Sequence, residues 1–202
     1  MSKKLLALWI GLSLSAKAPA SIWSEWIAGG NSCDGRSVHA YSLGDWLVVT
    51  LDAFGVYMPA DEEGDGLTVR KTCSFRVQLT PPAGHYLAGF RQLFAGSLSK
   101  SAGASARLQV RYGMGATAGK RVNLYWDEGT EILPDDPLAQ FTREYDETYA
   151  GSACGAPTTY GFNLTLLASR PDYFGESLIG GLDAIASQVR VIPLWAPCAI
   201  EP

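Results

Sequence analysis

Acidic side chains form the densest set of groups with possible chemistry in this chain. Eight of them fall between residues 127 and 147: Asp127, Glu128, Glu131, Asp135, Asp136, Glu144, Asp146 and Glu147. Glycosidases use two carboxylates that face each other across a cleft at about 5–10 Å. Glu144 and Asp146 would share a face if their segment were a strand. A hydrolase using loop carboxylates is therefore one hypothesis, although acids in a surface loop are ordinarily just solvated.

Other polar groups lack the spacing of a catalytic or metal site. His39 and His85, the only histidines, stand near no Gly-x-Ser-x-Gly motif and show no ligand spacing to each other or to a cysteine. The acidic run at residues 61–66 lacks the Asp-x-Asp-x-Asp-Gly spacing of a calcium loop. We expect a solvated hairpin loop at this run, and we expect no catalytic residue, metal or cofactor.

Aromatic rings offer a different chemistry, because a flat apolar face can stack on a sugar ring. Tyr125 and Trp126 are adjacent in a short segment with strand character. Since successive strand side chains point to opposite faces, one of the two should meet solvent. The pair is the predicted binding surface, whereas Trp195 is expected to pack in the core beside Cys198.

The four cysteines are expected to form two structural disulfides. They are Cys33, Cys73, Cys154 and Cys198, and the nearest two are 40 residues apart. A zinc site would need clustered ligands such as Cys-x-x-Cys. In an oxidising compartment an even number of thiols usually pairs. Spacing alone leaves three pairings open.

The N-terminus has the pattern of an export signal. Lys3 and Lys4 precede an apolar run at residues 5–14, and Ala18 and Ala20 occupy the small positions of a cleavage site. We predict a signal peptide at 1–20, removed after Ala20, and a secreted protein, extracellular or periplasmic.

Residues 21–202 are predicted to form a single secreted domain that is acidic. They carry 13 basic and 20 acidic side chains, for a net charge of −7. This balance argues against nucleic acid, whose phosphates would be repelled, and against an anionic membrane surface. The apolar run at 5–14 is too short to span a bilayer, and no other stretch approaches a span, so no membrane insertion is expected.

Alternation of apolar and polar residues is the main structural signal. Residues 73–79, 107–112 and 162–166 each place apolar side chains on one face and polar ones on the other. Less regular strand candidates are 46–51, 86–93, 122–126 and 189–195, and Pro- and Gly-rich turns separate the segments. Short strands at this spacing predict an all-β fold, an antiparallel β-sandwich of jelly-roll or immunoglobulin-like type with two disulfides.

Two segments do not fit this strand pattern. Residues 182–189 are the best helical candidate, although they could equally be a turn followed by a strand. Residues 127–157 are rich in Asp, Pro, Gly and Thr, and they are predicted to be a long connection in which function often sits.

The motifs around the cysteines resemble a secreted group known as domain-of-unknown-function family 4360. The matching motifs are Gly29-Gly-Asn-Ser-Cys33, Arg70-Lys-Thr-Cys73, Pro82-Ala-Gly84, Ser152-Ala-Cys154-Gly155, Phe162-Asn-Leu-Thr165 and Leu194-Trp-Ala-Pro-Cys198. The resemblance implies a small secreted β-rich domain with no known activity, cofactor or catalytic residue. It also favours pairing Cys33 with Cys73 and Cys154 with Cys198.

These observations favour a secreted, non-catalytic β-sandwich that acts as a binding or interaction module. Its partner would be a cell-surface glycan or an extracellular protein. The first alternative is an extracellular structural protein that assembles with copies of itself through exposed strand edges or aromatic loops. The hydrolase comes third.

Overall fold

The structure is a computed structural model that describes residues 23–58, 67–115, 119–148, 153–170 and 182–199. The predicted signal peptide at 1–20 and the acidic run at 61–66 lie outside these ranges. In the described part, one short 3-10 turn, Pro137–Ala139, accompanies eleven strands: β1 Trp23–Gly29, β2 Val38–Leu43, β3 Trp46–Leu51, β4 Gly55–Met58, β5 Leu67–Leu79, β6 His85–Lys100, β7 Ser105–Met114, β8 Lys120–Trp126, β9 Gln140–Thr148, β10 Thr158–Arg170 and β11 Leu182–Pro197. No helix among these residues is long and apolar enough to cross a membrane.

The strands form two sheets packed face to face. Sheet I has the order β1-β5-β10-β7-β8, and sheet II has the order β2-β3-β11-β6-β9 with β4 also beside β11. Each of these strand pairs is antiparallel. The prediction of an antiparallel β-sandwich is confirmed.

Alternating burial explains why these segments become strands of a sandwich. In β5, Phe75 and Val77 are buried, while Arg76 and Gln78, which alternate with them, are exposed. The inward rows of β7 and β10 alternate in the same way, as the sequence predicts. A strand with one apolar face gains stability only when that face is covered, so the two sheets bury their apolar faces against each other.

Residues 182–189 were predicted as a helix candidate, and that prediction is wrong. They form the first half of β11, which pairs with β6 on one side and with Gly55–Met58 on the other. A bulge between Ala186 and Gln188 shifts the register within this segment and interrupts its period-two pattern. Because the segment pairs on both edges, its backbone hydrogen bonds are satisfied in the sheet. This gain outweighs the weak helical preference of its sequence.

The predicted long connection at 127–157 is also wrong in part. Its middle, Gln140–Thr148, is the edge strand β9, paired with β6. Phe141, Tyr145 and Glu147 lie toward the core at alternate positions. The same row of alternate positions also contains Arg143, which is exposed. Arg143 and Glu147 together hide the apolar period, so the sequence pattern of this segment is polar.

The two disulfides join Cys33 to Cys73 and Cys154 to Cys198, with Cα–Cα distances of 5.0 and 5.7 Å. The pairing implied by the family resemblance is therefore confirmed. Cys73 points into the core, where its side chain is 1% exposed and Cys33 is equally buried. Cys154 is exposed and Cys198 is half-buried, so the second bridge lies at the surface.

Gly30 allows the first disulfide to sit against the sheet. A Cβ at this position would lie 2.2 Å from the carbonyl oxygen of Thr72, and the φ of Gly30 is +140°. Both facts exclude an ordinary side chain. The neighbouring Gly29 has open space around the same position.

We expect a mild reductant to open Cys154–Cys198 before Cys33–Cys73 in the native protein, since attack on a disulfide requires access to sulfur. Alkylation followed by peptide mass spectrometry gives the order, and earlier opening of Cys33–Cys73 would contradict it.

Replacing either pair of cysteines by alanines should lower the free energy of unfolding by about 4 kcal/mol, the entropy that closing a loop of this length removes from the unfolded chain. The two losses should be similar, because the two loops are nearly equal in length.

Gly30→Ala is expected to lower the free energy of unfolding by about 1–3 kcal/mol, because the added methyl group meets backbone that has little room to move. Gly29→Ala is the matched control, and its melting temperature should stay close to that of the unmodified protein. Thermal unfolding of both variants tests the assignment. Equal melting temperatures for the two would show that the close approach at Gly30 is unimportant.

Candidate binding surface

Two of the carboxylates considered for hydrolysis, Glu144 and Asp146, form ion pairs with Arg91. Glu144 and Asp146 share the outer face of β9, and the Nε of Arg91 lies 3.1 Å from Glu144 Oε1 and 2.8 Å from Asp146 Oδ1. The hydrogen bond from Arg91 lowers the pKa of Asp146. All three side chains are exposed on an open sheet face. The two acids therefore share one arginine on an exposed sheet face, which is not the geometry of two carboxylates across a cleft.

Glu147 points the opposite way and connects the two sheets. Its side chain is only 6% exposed. It accepts a hydrogen bond of 2.8 Å from the Tyr112 hydroxyl, and Lys120 Nζ lies 2.5 Å from its other oxygen. Tyr112 and Lys120 belong to sheet I, whereas Glu147 belongs to sheet II. This carboxylate has a structural environment, because both of its oxygens are engaged inside the fold.

The remaining acids of this region lie around a buried lysine or in a turn. Lys100 is 2% exposed, and its Nζ donates a hydrogen bond to the Thr130 carbonyl. Burial lowers the pKa of Lys100, against the opposing charges of the nearby acids Asp127, Glu128 and Glu131. Asp136 accepts a hydrogen bond of 2.7 Å from the Leu138 amide at the start of the 3-10 turn.

Each of the two histidines contacts one polar neighbour. His39 Nε2 lies 3.2 Å from Asp52 Oδ2 at the surface, and His85 Nδ1 lies 3.0 Å from the Ala83 carbonyl. Among the described residues, no group of three or more His, Cys, Asp and Glu side chains is close enough to hold a metal ion.

Tyr125 and Trp126 lie on opposite faces of β8, as their alternation predicts. Tyr125 is 65% exposed on the outer face of sheet I. Trp126 turns inward and is half-buried, with its ring centre 5.3 Å from that of Phe141 on β9. Trp195 is half-buried against the core.

The space beside this aromatic pair is a groove of about 350 Å³ between the edges of the two sheets, which we call the edge groove. Its apolar wall comes from Trp126, Ile132, Leu138 and Phe141. The polar and charged members are Lys100, Asp127, Thr130, Gln140 and Arg143, and Tyr125 stands at its border. The residues from β9 were not predicted, because the segment was assigned to a connection.

The exposed ring of Tyr125 is held in place from below. The guanidinium carbon of Arg107 lies 5.1 Å from its centre. Arg107 also donates a hydrogen bond of 3.1 Å to Asn123, whose side-chain oxygen accepts a second one from Gln109. The hydrogen bonds hold Arg107 against the ring, and the attraction between its cation and the ring favours this ring position.

A second depression, of about 340 Å³, lies on the outer face of sheet I. Gly113, Gly119 and Gly161 contribute to its lining, with Arg76, Arg111 and Asn163 among the longer side chains. Arg111 is the direct register partner of Arg121 on β8. We call the outward arginines of this sheet the arginine face: Arg70, Arg76, Arg107, Arg111 and Arg121. The sequence analysis did not identify it.

Glu147→Gln is expected to lower the free energy of unfolding by about 1–3 kcal/mol, because the amide cannot satisfy both Tyr112 and the Lys120 ammonium. Glu144→Gln on the same strand is the control and should leave the melting temperature unchanged, since Arg91 keeps Asp146. Thermal unfolding compares the two, and a stable Glu147→Gln protein would show that this carboxylate is dispensable to the fold.

Comparison with known proteins gives distant structural matches. No protein family and no curated protein matches the sequence. The chain is similar to the structure of TmCBM61 in complex with β-1,4-galactotriose, with 12% identity, a TM-score of 0.30, and coverage of 83% of this chain and 88% of that one. It is also similar to the enzymatically active domain of tailspike protein 4 of bacteriophage CBA120, with 11% identity, a TM-score of 0.25, and coverage of 86% and 20%. Both values are too low for either likeness to bear on function.

Proposed function

We propose that the protein is a secreted, non-catalytic module that binds a glycan at the edge groove, with Tyr125 as the stacking ring. The observation that carries the proposal is the exposed ring of Tyr125, held by Arg107 at the border of this groove. A ring that is already fixed loses little conformational freedom when a ligand stacks on it.

The composition of the edge groove supports a sugar ligand. A sugar ring presents C–H groups on its faces and hydroxyl groups around its rim, so it needs apolar and polar contacts together. Trp126, Leu138 and Phe141 supply the first, and Gln140 and Arg143 supply hydrogen-bonding groups beside them. The groove volume is near the lower end of small-molecule pockets, which span about 300–1,000 Å³. This suits a short stretch of a glycan.

The state of the acids supports binding without hydrolysis. Glu144 and Asp146 share Arg91, and Glu147 is engaged by Tyr112 and Lys120. Secretion is supported by the two disulfides, which persist in oxidising compartments. Secretion, the signal peptide at 1–20 and membership in domain-of-unknown-function family 4360 all belong to this proposal.

Tyr125→Ala is expected to weaken glycan binding at least tenfold, which corresponds to about 1.4 kcal/mol, because the stacking surface is lost. The ligand is first found by screening the purified protein on a glycan array, and the affinities are then measured by titration calorimetry.

Tyr41→Ala is the matched control for this experiment. Tyr41 is also exposed, at 47%, but it lies on β2 at the far edge of sheet II. Its replacement should leave glycan binding unchanged. A protein that binds no glycan on the array, or equal affinities for the two variants, would contradict the proposal.

A further inference from the structure

Charge is sorted between strands in this protein. The four strands β5, β7, β8 and β10 contain no aspartate or glutamate, and they hold eight basic residues: Arg70, Lys71, Arg76, Arg107, Arg111, Lys120, Arg121 and Arg170. The chain as a whole has a net charge of −4. The strands are neighbours in the order β5-β10-β7-β8, and five of these eight residues, those of the arginine face, are at outward positions. The outer face of these strands is therefore positively charged inside an acidic protein.

The strongest local feature of this face is a pair of arginines side by side. Arg111 and Arg121 are direct cross-strand partners at outward positions. Like charges at such positions destabilise a sheet unless a counter-charge lies between them. No ion pair to either one is found among the described residues. On sheet II, by contrast, the outward Arg91 is matched by Glu144 and Asp146.

Arg76 extends the positive charge across the sheet. It pairs with Gly161, which pairs with Gly113, while Arg111 pairs with Asn163 one row away. Strands are about 4.8 Å apart and alternate residues about 6.8 Å apart, so the Cα atoms of Arg76 and Arg111 are separated by roughly 12 Å. The second depression lies between them.

Glycines line the bottom of this depression, so its floor is bare backbone. A Cβ on Gly119 would lie 2.1 Å from the Tyr112 carbonyl oxygen, and one on Gly161 would lie 2.9 Å from that of Phe75. Side chains are therefore excluded at these positions by the backbone itself. A ligand can lie low on the sheet here, with Arg76 and Arg111 beside it.

We propose that the arginine face binds an acidic polysaccharide whose sugars carry carboxylates. A guanidinium donates two parallel hydrogen bonds to a carboxylate, a geometry that an ammonium group cannot reproduce. Outward Thr72, Gln109, Asn163 and Thr165 place hydroxyl and amide groups around the arginines, which suits a hydroxyl-rich chain. The proposal rests on the proposed function only in taking a glycan as ligand. Arg107 belongs to the arginine face and also contacts Tyr125, but Arg76, Arg111 and Arg121, which carry this proposal, do not line the edge groove.

The same face does not have the composition of two other kinds of interface. Single-stranded nucleic acid is typically held by several aromatic side chains that stack on successive bases, and Tyr125 is the only aromatic outward residue of β5, β7, β8 and β10 in the described part. Stable protein interfaces have an apolar centre, whereas the centre of this face is polar and cationic.

The test compares polygalacturonate with its fully methyl-esterified form, which has the same backbone without the charge. The protein is prepared in a host that does not glycosylate Asn163, a residue in an Asn-x-Thr sequon on this face. We expect binding to polygalacturonate that weakens as salt increases, and at least tenfold weaker binding to the ester. No binding of polygalacturonate, or equal binding of the two polymers, would overturn the proposal.

The double variant Arg111→Gln/Arg121→Gln is expected to lose at least tenfold in affinity for polygalacturonate and most of its salt dependence. Its melting temperature should be unchanged or higher, because two like charges are removed. Arg190→Gln is the matched control, since Arg190 is exposed on sheet II and bonded to Gln188, and it should bind like the unmodified protein.

Other outcomes separate this proposal from its alternatives. Unchanged binding of polygalacturonate by the double variant would overturn the proposal that the arginine face binds it. If Tyr125→Ala then still loses binding of a neutral glycan, the proposed function stands on its own. Tighter, arginine-dependent binding of oligo-dT than of polygalacturonate at equal ionic strength would overturn it in favour of nucleic acid.

Discussion

Ring-on-ring packing between the two sheets is the interaction on which the rest of this structure depends. Phe90 of sheet II meets Tyr160 of sheet I edge to face, with ring centres 4.7 Å apart, and Phe94 meets Phe162 in the same way at 6.5 Å. Each buried ring contributes about 1.5–3 kcal/mol through loss of contact with water. Because these rings fix which side of each strand is inward, they also decide which side chains reach the outside.

Tyr160 and Tyr112 bring hydroxyl groups into the core, and each of these two hydroxyls has a partner on the other sheet. Tyr160 donates a hydrogen bond of 2.7 Å to Gln92, and Tyr112 donates one to Glu147. Both bonds run from sheet I to sheet II. Apolar contacts between the sheets oppose their separation. The two hydrogen bonds are directional, so they also oppose sliding of one sheet over the other.

The central parts of β5, β7 and β10 could be predicted from the sequence because their inward positions are apolar without interruption. The alternation in residues 73–79, 107–112 and 162–166 reflects that rule directly. Two segments of sheet II could not be predicted in the same way. A bulge breaks the period in β11, and Arg143 and Glu147 break it in β9, so each strand depends on partners distant in the chain.

The candidate sites show the same limit. Alternation alone predicts that one of Tyr125 and Trp126 meets solvent, but it cannot supply Phe141 or Gln140, which arrive from the other sheet. The residues Arg76, Arg111 and Arg121 are far apart in the sequence, so the sequence shows no cluster of arginines. The strand order of sheet I brings them together, and strand order is a property of the whole fold.

The two disulfides determine how the chain responds to cleavage of its backbone. Each closes a ring, from Cys33 to Cys73 and from Cys154 to Cys198, and each ring contains residues of both sheets. A single backbone cut between residues 34 and 72, or between 155 and 197, leaves the two pieces joined through sulfur. In a protease-rich environment the molecule can therefore be nicked once within either ring and still keep every strand attached.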